Sequence, residues 1–147
     1  MTLPESLLTP EKKPLVVKDC VSLIDSEVSK KSGFSGLAIK GGYAVVKKLD
    51  GGQMVPKAVN DLLPDFTEAL EPYHAQHRQA GGPSFEAWSR GHEPELAEAL
   101  LAVTDGKAKH AKHKTLKSIY EKLRPTAKRN LEASIGALAA VLDRHSA

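Results

Sequence analysis

The residues best suited to chemistry are a glutamate and two histidines near the middle of the chain. Glu71 precedes His74 by three positions, and His77 follows three positions later. Residues three or four apart share one face of a helix, so these side chains could together hold a metal ion. Di-iron bundles need a second Glu-x-x-His motif, and this sequence has none. We favour the alternative, that these are histidines on the polar edge of a helix.

A basic segment spans residues 107–129. Residues 106–130 carry nine lysines and arginines against one glutamate. A phosphate-bearing polyanion such as nucleic acid could bind there with salt-sensitive affinity. The candidate contacts are Lys107, Lys109, Lys112, Lys114, Lys117, Lys128 and Arg129. Only Tyr120 supplies an aromatic ring, so stacking on bases has little support. Residues 61–105 carry nine acids and two arginines, so the alternative is that the two regions lie side by side and neutralise each other.

Two further histidines, His110 and His113, repeat the three-residue spacing inside this basic segment. The surrounding lysines repel a cation, so we do not expect a metal there. The glycines of 32–36 ahead of Lys40 could offer backbone N–H groups to a phosphate. The Gly-Lys-Ser/Thr ending of a P-loop is absent, and packing accounts for the glycines better.

Nucleophilic catalysis finds no support in the sequence. Cys20, the single cysteine, falls on the apolar stripe of a helix, where burial makes a thiol inert. The sequence contains no Gly-x-Ser-x-Gly elbow. We therefore expect no catalytic residue and no cofactor. One cysteine allows no internal disulfide, which fits a reducing, cytoplasmic setting.

The elements that would position these residues are helices. Apolar residues recur at steps of three and four, and no alternating strand pattern occurs. The 147 residues therefore predict one all-α domain, a bundle of six or seven helices with several proline kinks. From Val55 to His77, apolar residues keep their helical spacing across Pro64 and Pro72. This predicts one long helix there, and the same spacing predicts a second long helix that continues past Pro125. Residues 1–9 are predicted to be a lead-in, and residues 106–114 a basic mobile loop.

The segment Ser32–Lys48 is predicted to be the central helix of this bundle. One helical face carries small and apolar residues, namely Phe34, Leu37, Ala38, Gly41 and Val45. Two glycines inside a helix cost about 1 kcal/mol each relative to alanine, so we expect another helix to approach closely. The C-terminal helix offers a matching small face around Gly136. Packing within the chain and packing across a dimer both remain open.

No segment of the sequence suggests secretion or a membrane. The first eight residues lack the basic and apolar regions of a signal peptide. The longest apolar run, residues 135–142, is far shorter than a membrane span. We expect a cytoplasmic protein without a membrane partner.

Three stretches resemble a known family. They are residues 8–17, residues 32–48 and the Leu63-Pro64-Asp65-Phe66 step. Together they are similar to small all-helical actinobacterial proteins that form a domain of unknown function, and the likeness is best in the N-terminal half. The resemblance implies a bacterial helical protein and carries no catalytic residues.

Three functional hypotheses follow. The first is a non-enzymatic module that binds a protein partner or a second copy of itself. The second is nucleic-acid or polyanion binding through residues 107–129. The third is a metal-binding helical protein that uses Glu71, His74 and His77.

Overall fold

Seven α-helices and one short 3₁₀ turn account for most of residues 2–30, 33–110 and 114–146, which the computed structural model describes. Side chains are described there except at positions 33–39, 46, 50, 115, 116 and 119. The elements are α1 Leu3–Leu7, α2 Lys13–Ser29, α3 Gly33–Lys48, the 3₁₀ turn Leu49–Gly52, α4 Met54–Ala80, α5 Phe85–Ser89, α6 Glu93–Lys109 and α7 Lys114–Ser146. No strand occurs in these ranges, so the predicted all-α class and helix number are confirmed.

The two longest helices, α4 and α7, form the centre of the fold. α4 packs against α1, α2, α3, α5 and α6, and α7 packs against α1, α2, α5 and α6. Pro64 and Pro72 lie inside α4, and Pro125 lies inside α7, so the predicted continuity through all three prolines is confirmed. Packing of a long apolar face outweighs the local cost of each proline.

One hydrophobic core takes buried side chains from α1, α2, α4, α5, α6 and α7. Its buried members are Leu3, Leu7, Val16, Cys20, Leu63, Leu70, Phe85, Leu96, Ala97, Leu100, Ile135, Ala139, Val141 and Leu142. The void lined by Leu70, Phe85 and Ile135 measures about 10 Å³. That space is at the lower limit for a single water molecule, so this part of the interior has no room for an apolar ligand.

The prediction that residues 1–9 are a lead-in was wrong. Leu3–Leu7 form a helix, and Leu3 and Leu7 are fully buried. Thr2 and Glu5 form a capping box, in which each side chain accepts a hydrogen bond from the other residue's backbone N–H. The N–H of Leu3 also donates a 2.6 Å hydrogen bond to Oε2 of Glu71 on α4. These contacts make α1 part of the core.

The basic loop predicted at 106–114 is shorter than expected. α6 continues through Gly106 to Lys109, and α7 begins at Lys114. Gly106 lacks the positive φ of a helix-ending glycine, so helical geometry continues past it. Lys107 pairs with Asp65 on α4 at 3.5 Å and ties this last turn to the bundle. Residues 111–113, which include the predicted contact Lys112 and also His113, lie outside the described residues.

The prediction that α3 is the central helix was also wrong. None of its described side chains is buried, and it packs on α2, α4 and the 3₁₀ turn at the edge of the bundle. A Cβ placed at Gly41, Gly42 or Gly136 would meet no atom within 4 Å. The two small faces therefore do not pack on each other at these glycines. Ser32 and the side chains of Phe34, Leu37 and Ala38 lie outside the described residues.

Candidate functional site

α3 is fastened to α2 by two polar contacts that share one carboxylate. The Tyr43 hydroxyl donates a 2.6 Å hydrogen bond to Oδ1 of Asp25, and Lys47 Nζ lies 3.1 Å from the same oxygen. The hydrogen bond from Tyr43, helped by Lys47, lowers the pKa of Asp25. Burial, together with the Asp25 carboxylate, raises the pKa of Tyr43 to about 12. At neutral pH, Asp25 is therefore ionised and Tyr43 keeps its proton, so the hydrogen bond between them is maintained.

The outer side of α3 is an open face with apolar side chains. Gly41, Val45 and Leu49 follow one another at four-residue spacing, which places them on one side of the helix and of the turn that extends it. Val45 is 63% exposed and Leu49 is 47% exposed. Gly41 and Gly42 are also exposed, so bare backbone lies beside these two side chains. We call Gly41, Gly42, Val45 and Leu49 the open face.

Three lysines lie beside the open face, towards one side of the helix. Lys40, Lys47 and Lys48 are all exposed, and Gly33–Lys48 contains no acidic residue. Lys47 pairs with Asp25, whereas Lys40 and Lys48 have no ion pair among the described residues. The face therefore combines an apolar, small-residue surface with net positive charge.

The sequence-based metal candidates lie near one another but have other partners. Oε1 of Glu71 pairs with Arg78, and its Oε2 accepts the hydrogen bond from Leu3. Nδ1 of His74 is in hydrogen-bond contact with Arg78, which has only donors, so this nitrogen accepts. Within the described ranges, no group of three or more His, Cys, Asp or Glu side chains is arranged to hold a metal. The geometry therefore does not support a metal site at Glu71, His74 and His77.

Burial explains the state of these side chains. His74 is 8% exposed and packs edge-on against Phe85 with ring centroids 5.0 Å apart. Burial and the nearby Arg78 charge lower the pKa of His74, so its ring is neutral at pH 7. Burial alone would raise the pKa of Glu71, but the hydrogen bonds from Arg78 and Leu3 outweigh it and lower that pKa. Nδ1 of His77 is buried without a hydrogen-bond partner among the described atoms.

The basic segment is partly neutralised by the acidic region, as the alternative prediction proposed. Lys107 pairs with Asp65, and Lys128 pairs with Glu98 at 2.8 Å. Arg124 was not among the predicted contacts. It donates to both Asp105 oxygens and to Glu98, each at 2.8 Å. The hydrogen bonds from Arg124 lower the pKa of Asp105, which also accepts from Tyr120 at 2.6 Å.

The remaining predicted cations point to solvent. Lys109, Lys114, Lys117 and Arg129 are exposed and have no ion pair in the described part of the chain. Lys109, Lys114 and Lys117 lie within one helical turn of the junction of α6 and α7, whereas Arg129 lies further along α7. Beside this junction, an open groove of about 570 Å³ runs between α4 and α6. Its polar lining residues include Asp65 and Glu68 on one side and Lys107 and His110 on the other.

The open face was missed because Val45 had been assigned to the buried stripe of α3. The sequence held no contrary signal, because Lys40, Lys47 and Lys48 lie within about 100° of one another around the helix and leave most of its surface available for burial.

Within the described residues, none of the helices is both long and apolar enough to pass through a lipid bilayer. Comparison with curated proteins gave no match, and comparison with solved structures gave none either. Residues 3–146 match a family of unknown function, DUF6918, so the likeness first noted in the N-terminal half extends over nearly the whole chain. The actinobacterial origin implied by the resemblance stays a prediction. From Leu3 to Ser146, this chain belongs to the family of unknown function DUF6918.

Proposed function

We propose that this protein is a non-enzymatic interaction module that binds a partner through the open face of α3. The observation that carries the proposal is the 63% exposure of Val45 beside the uncovered backbone of Gly41 and Gly42. An apolar side chain next to two glycines allows another helix to approach more closely than an ordinary helix surface does.

The energetic cost of the two glycines within α3 supports this proposal. Two glycines in its interior cost about 1 kcal/mol each relative to alanine, and no described neighbour fills the space above them. Burying a valine or leucine side chain completely contributes about 1.5–3 kcal/mol. A partner that covers Val45 and Leu49 would therefore gain apolar burial that the chain alone lacks.

Site-specific photo-crosslinking in cells that produce the protein tests the proposal. A benzophenone amino acid replaces Val45 or Leu49, and the matched control replaces Leu123 on α7, which is 50% exposed. We expect covalent adducts from positions 45 and 49 that are absent from position 123. Gly41→Leu should abolish the adducts because a bulky side chain fills the close-approach surface, whereas Gly136→Leu should leave them unchanged. Equal adducts from all three positions would contradict the proposal.

A second candidate function is polyanion binding at the junction of α6 and α7. It is supported by the three exposed lysines Lys109, Lys114 and Lys117, which have no described ion pair. Lys107 and Lys128 contribute less because Asp65 and Glu98 neutralise them. Heparin and single-stranded DNA are suitable probes, and log affinity should fall linearly with log salt. Triple reversal of the three lysines to glutamate should remove binding, and an unchanged affinity would exclude this candidate.

We further infer a reducing, cytoplasmic setting. Cys20 is 8% exposed on α2, and burial raises the pKa of its thiol to about 11. Such a thiol is protonated and sheltered, which agrees with its assignment as a small core residue.

A further inference from the structure

We infer that the partner of the open face is an acidic amphipathic helix, whose apolar stripe is flanked by glutamates or aspartates. This inference rests on the proposed function of α3 and adds the chemistry of the partner. It follows from the shape of the open face and from the charges around it.

The shape favours a helix. Gly41 and Gly42 lie at the middle of the 16-residue α3, so the bare backbone is centred on the surface that a crossing helix would contact. Small residues at a crossing point let two helix axes approach, and the flanking Val45 can then pack into the groove of the partner. A lipid surface would gain nothing from glycines, because interfacial helices bind through bulky apolar side chains.

The charges favour an acidic partner. Lys40 and Lys48 lie along one edge of the open face without a described ion pair, and no acid lies within α3. Acidic side chains beside the apolar stripe of the partner would pair with these lysines and fix the register of the two helices. A second copy of α3 would instead bring lysines against lysines, and like charges across an interface oppose association.

The length of the open face sets the smallest partner that can cover it. Gly41 to Leu49 extends about 12 Å at 1.5 Å per residue, so a partner helix needs at least about two turns, and a probe of five turns covers the face fully. The 3₁₀ turn continues this surface, because Leu49 is 47% exposed. The glycines Gly51 and Gly52 then adopt positive φ and turn the chain away.

Fluorescence anisotropy with the full chain and a labelled synthetic helix tests the inference. The probe is an amphipathic peptide of about five turns, with a leucine and alanine stripe flanked by glutamates. Its counterpart carries lysine in place of every glutamate. We expect the acidic peptide to bind at least about tenfold more tightly than the basic one, and binding to weaken as salt increases.

Two variants locate the binding site. The double variant Lys40→Glu with Lys48→Glu should weaken binding of the acidic peptide at least about tenfold. The double variant Val45→Ser with Leu49→Ser should weaken it to the same extent. The charge-matched control reverses Arg90 and Lys122, which are exposed and belong to no candidate site, and should leave the affinity unchanged. Circular dichroism of each variant confirms that the helices remain folded. Equal weakening by the control pair would overturn the inference in favour of general polyanion binding.

Two parallel measurements separate this inference from the proposed function. Sedimentation of the protein alone detects a second copy on the open face, and flotation with anionic lipid vesicles detects a lipid surface. A dimer or vesicle binding that Val45→Ser abolishes would overturn the acidic-helix assignment. If the photo-adducts at position 45 persist while the acidic peptide fails to bind, the inference fails and the interaction function stands. If the adducts are absent as well, both fail.

Discussion

The hydroxyl of Tyr43 on α3 donates a 2.6 Å hydrogen bond to Oδ1 of Asp25 on α2. Lys47 adds an ion pair to the same carboxylate. Among the side chains of α3 that the structure describes, none is buried, and Tyr43 and Lys47 make these polar contacts to α2. The cluster thus contributes to how firmly the open face is held.

Tyr43→Phe should loosen α3 without unfolding the bundle. Removing a partly buried hydrogen bond to a carboxylate should lower the free energy of unfolding by about 1 kcal/mol. Backbone amides of α3 should exchange with deuterium faster, as measured by mass spectrometry. Tyr120→Phe is the matched control because it removes a 2.6 Å bond to Asp105 between α7 and α6. If both variants accelerated amide exchange in α3 equally, the local role of Tyr43 would be disproved.

Gly41→Ala should stabilise the isolated protein and weaken partner binding. A Cβ at this position meets no described atom, so the helix gains about 1 kcal/mol in the free energy of unfolding. The same methyl group occupies the close-approach surface, so photo-adducts at position 45 should decrease. Gly136→Ala should stabilise α7 similarly and leave those adducts unchanged. Urea unfolding and adduct yield measure the two effects separately.

Stability should decline in two steps as the pH falls. The folded pKa of His74 lies below its unfolded value near 6.5, so the unfolded state takes up the proton first. The contribution of His74 is complete above that unfolded value and is lost as pH falls toward the folded pKa. Glu71 changes the stability in the same direction at lower pH, because its folded pKa lies below the unfolded value near 4.3. Its contribution therefore declines from about pH 4.3 downward.

Urea unfolding at a series of pH values measures the first step. His74→Gln keeps an acceptor for Arg78 but does not titrate, so it should remove the decline that begins near pH 6.5. One proton limits the slope of this decline to about 1.4 kcal/mol per pH unit. His110→Gln alters an exposed ring at the end of α6 and serves as the control. A decline that survives His74→Gln would assign it to another group.

Leu3→Ala should destabilise the protein strongly despite its place near the start of the chain. Leu3 is fully buried, and truncating a buried leucine to alanine costs about 2–5 kcal/mol. Leu15→Ala, at a site that is 54% exposed, should change the free energy of unfolding by less than about 0.5 kcal/mol. Similar unfolding midpoints for the two variants would show that α1 does not belong to the cooperative core.

The helices could be predicted from the sequence where apolar residues keep helical spacing over a long stretch. The phase from Val55 to His77 identified α4 correctly through two prolines, because packing along its whole length outweighs each local break. α1 was missed because five residues are too few to show a helical repeat of apolar side chains. Its capping box, Thr2 and Glu5, was the available signal.

The candidate site was harder to predict because it depends on which helices meet. Periodicity gave α3 an apolar stripe but could not tell that Val45 faces solvent. The charge asymmetry did predict contact between the acidic and basic regions, although Lys107 with Asp65 and Lys128 with Glu98 could not be paired in advance. Glu71 and His74 shared a face as predicted. Arg78, one turn further on, contacts both residues and could not be foreseen from the metal spacing alone.

The packing of α7 against α1 links the two ends of the described chain, and it has a consequence for biosynthesis. Leu3 and Leu7 are synthesised well before α7, but the core that covers them includes Ile135, Ala139 and Leu142. At about 5–20 residues per second, roughly 5–20 s pass between synthesis of α1 and the start of α7. Throughout that interval the nascent chain displays leucines that its own C-terminal helix will later cover. Completion of this core therefore waits for the synthesis of α7, and the nascent chain exposes apolar surface until then.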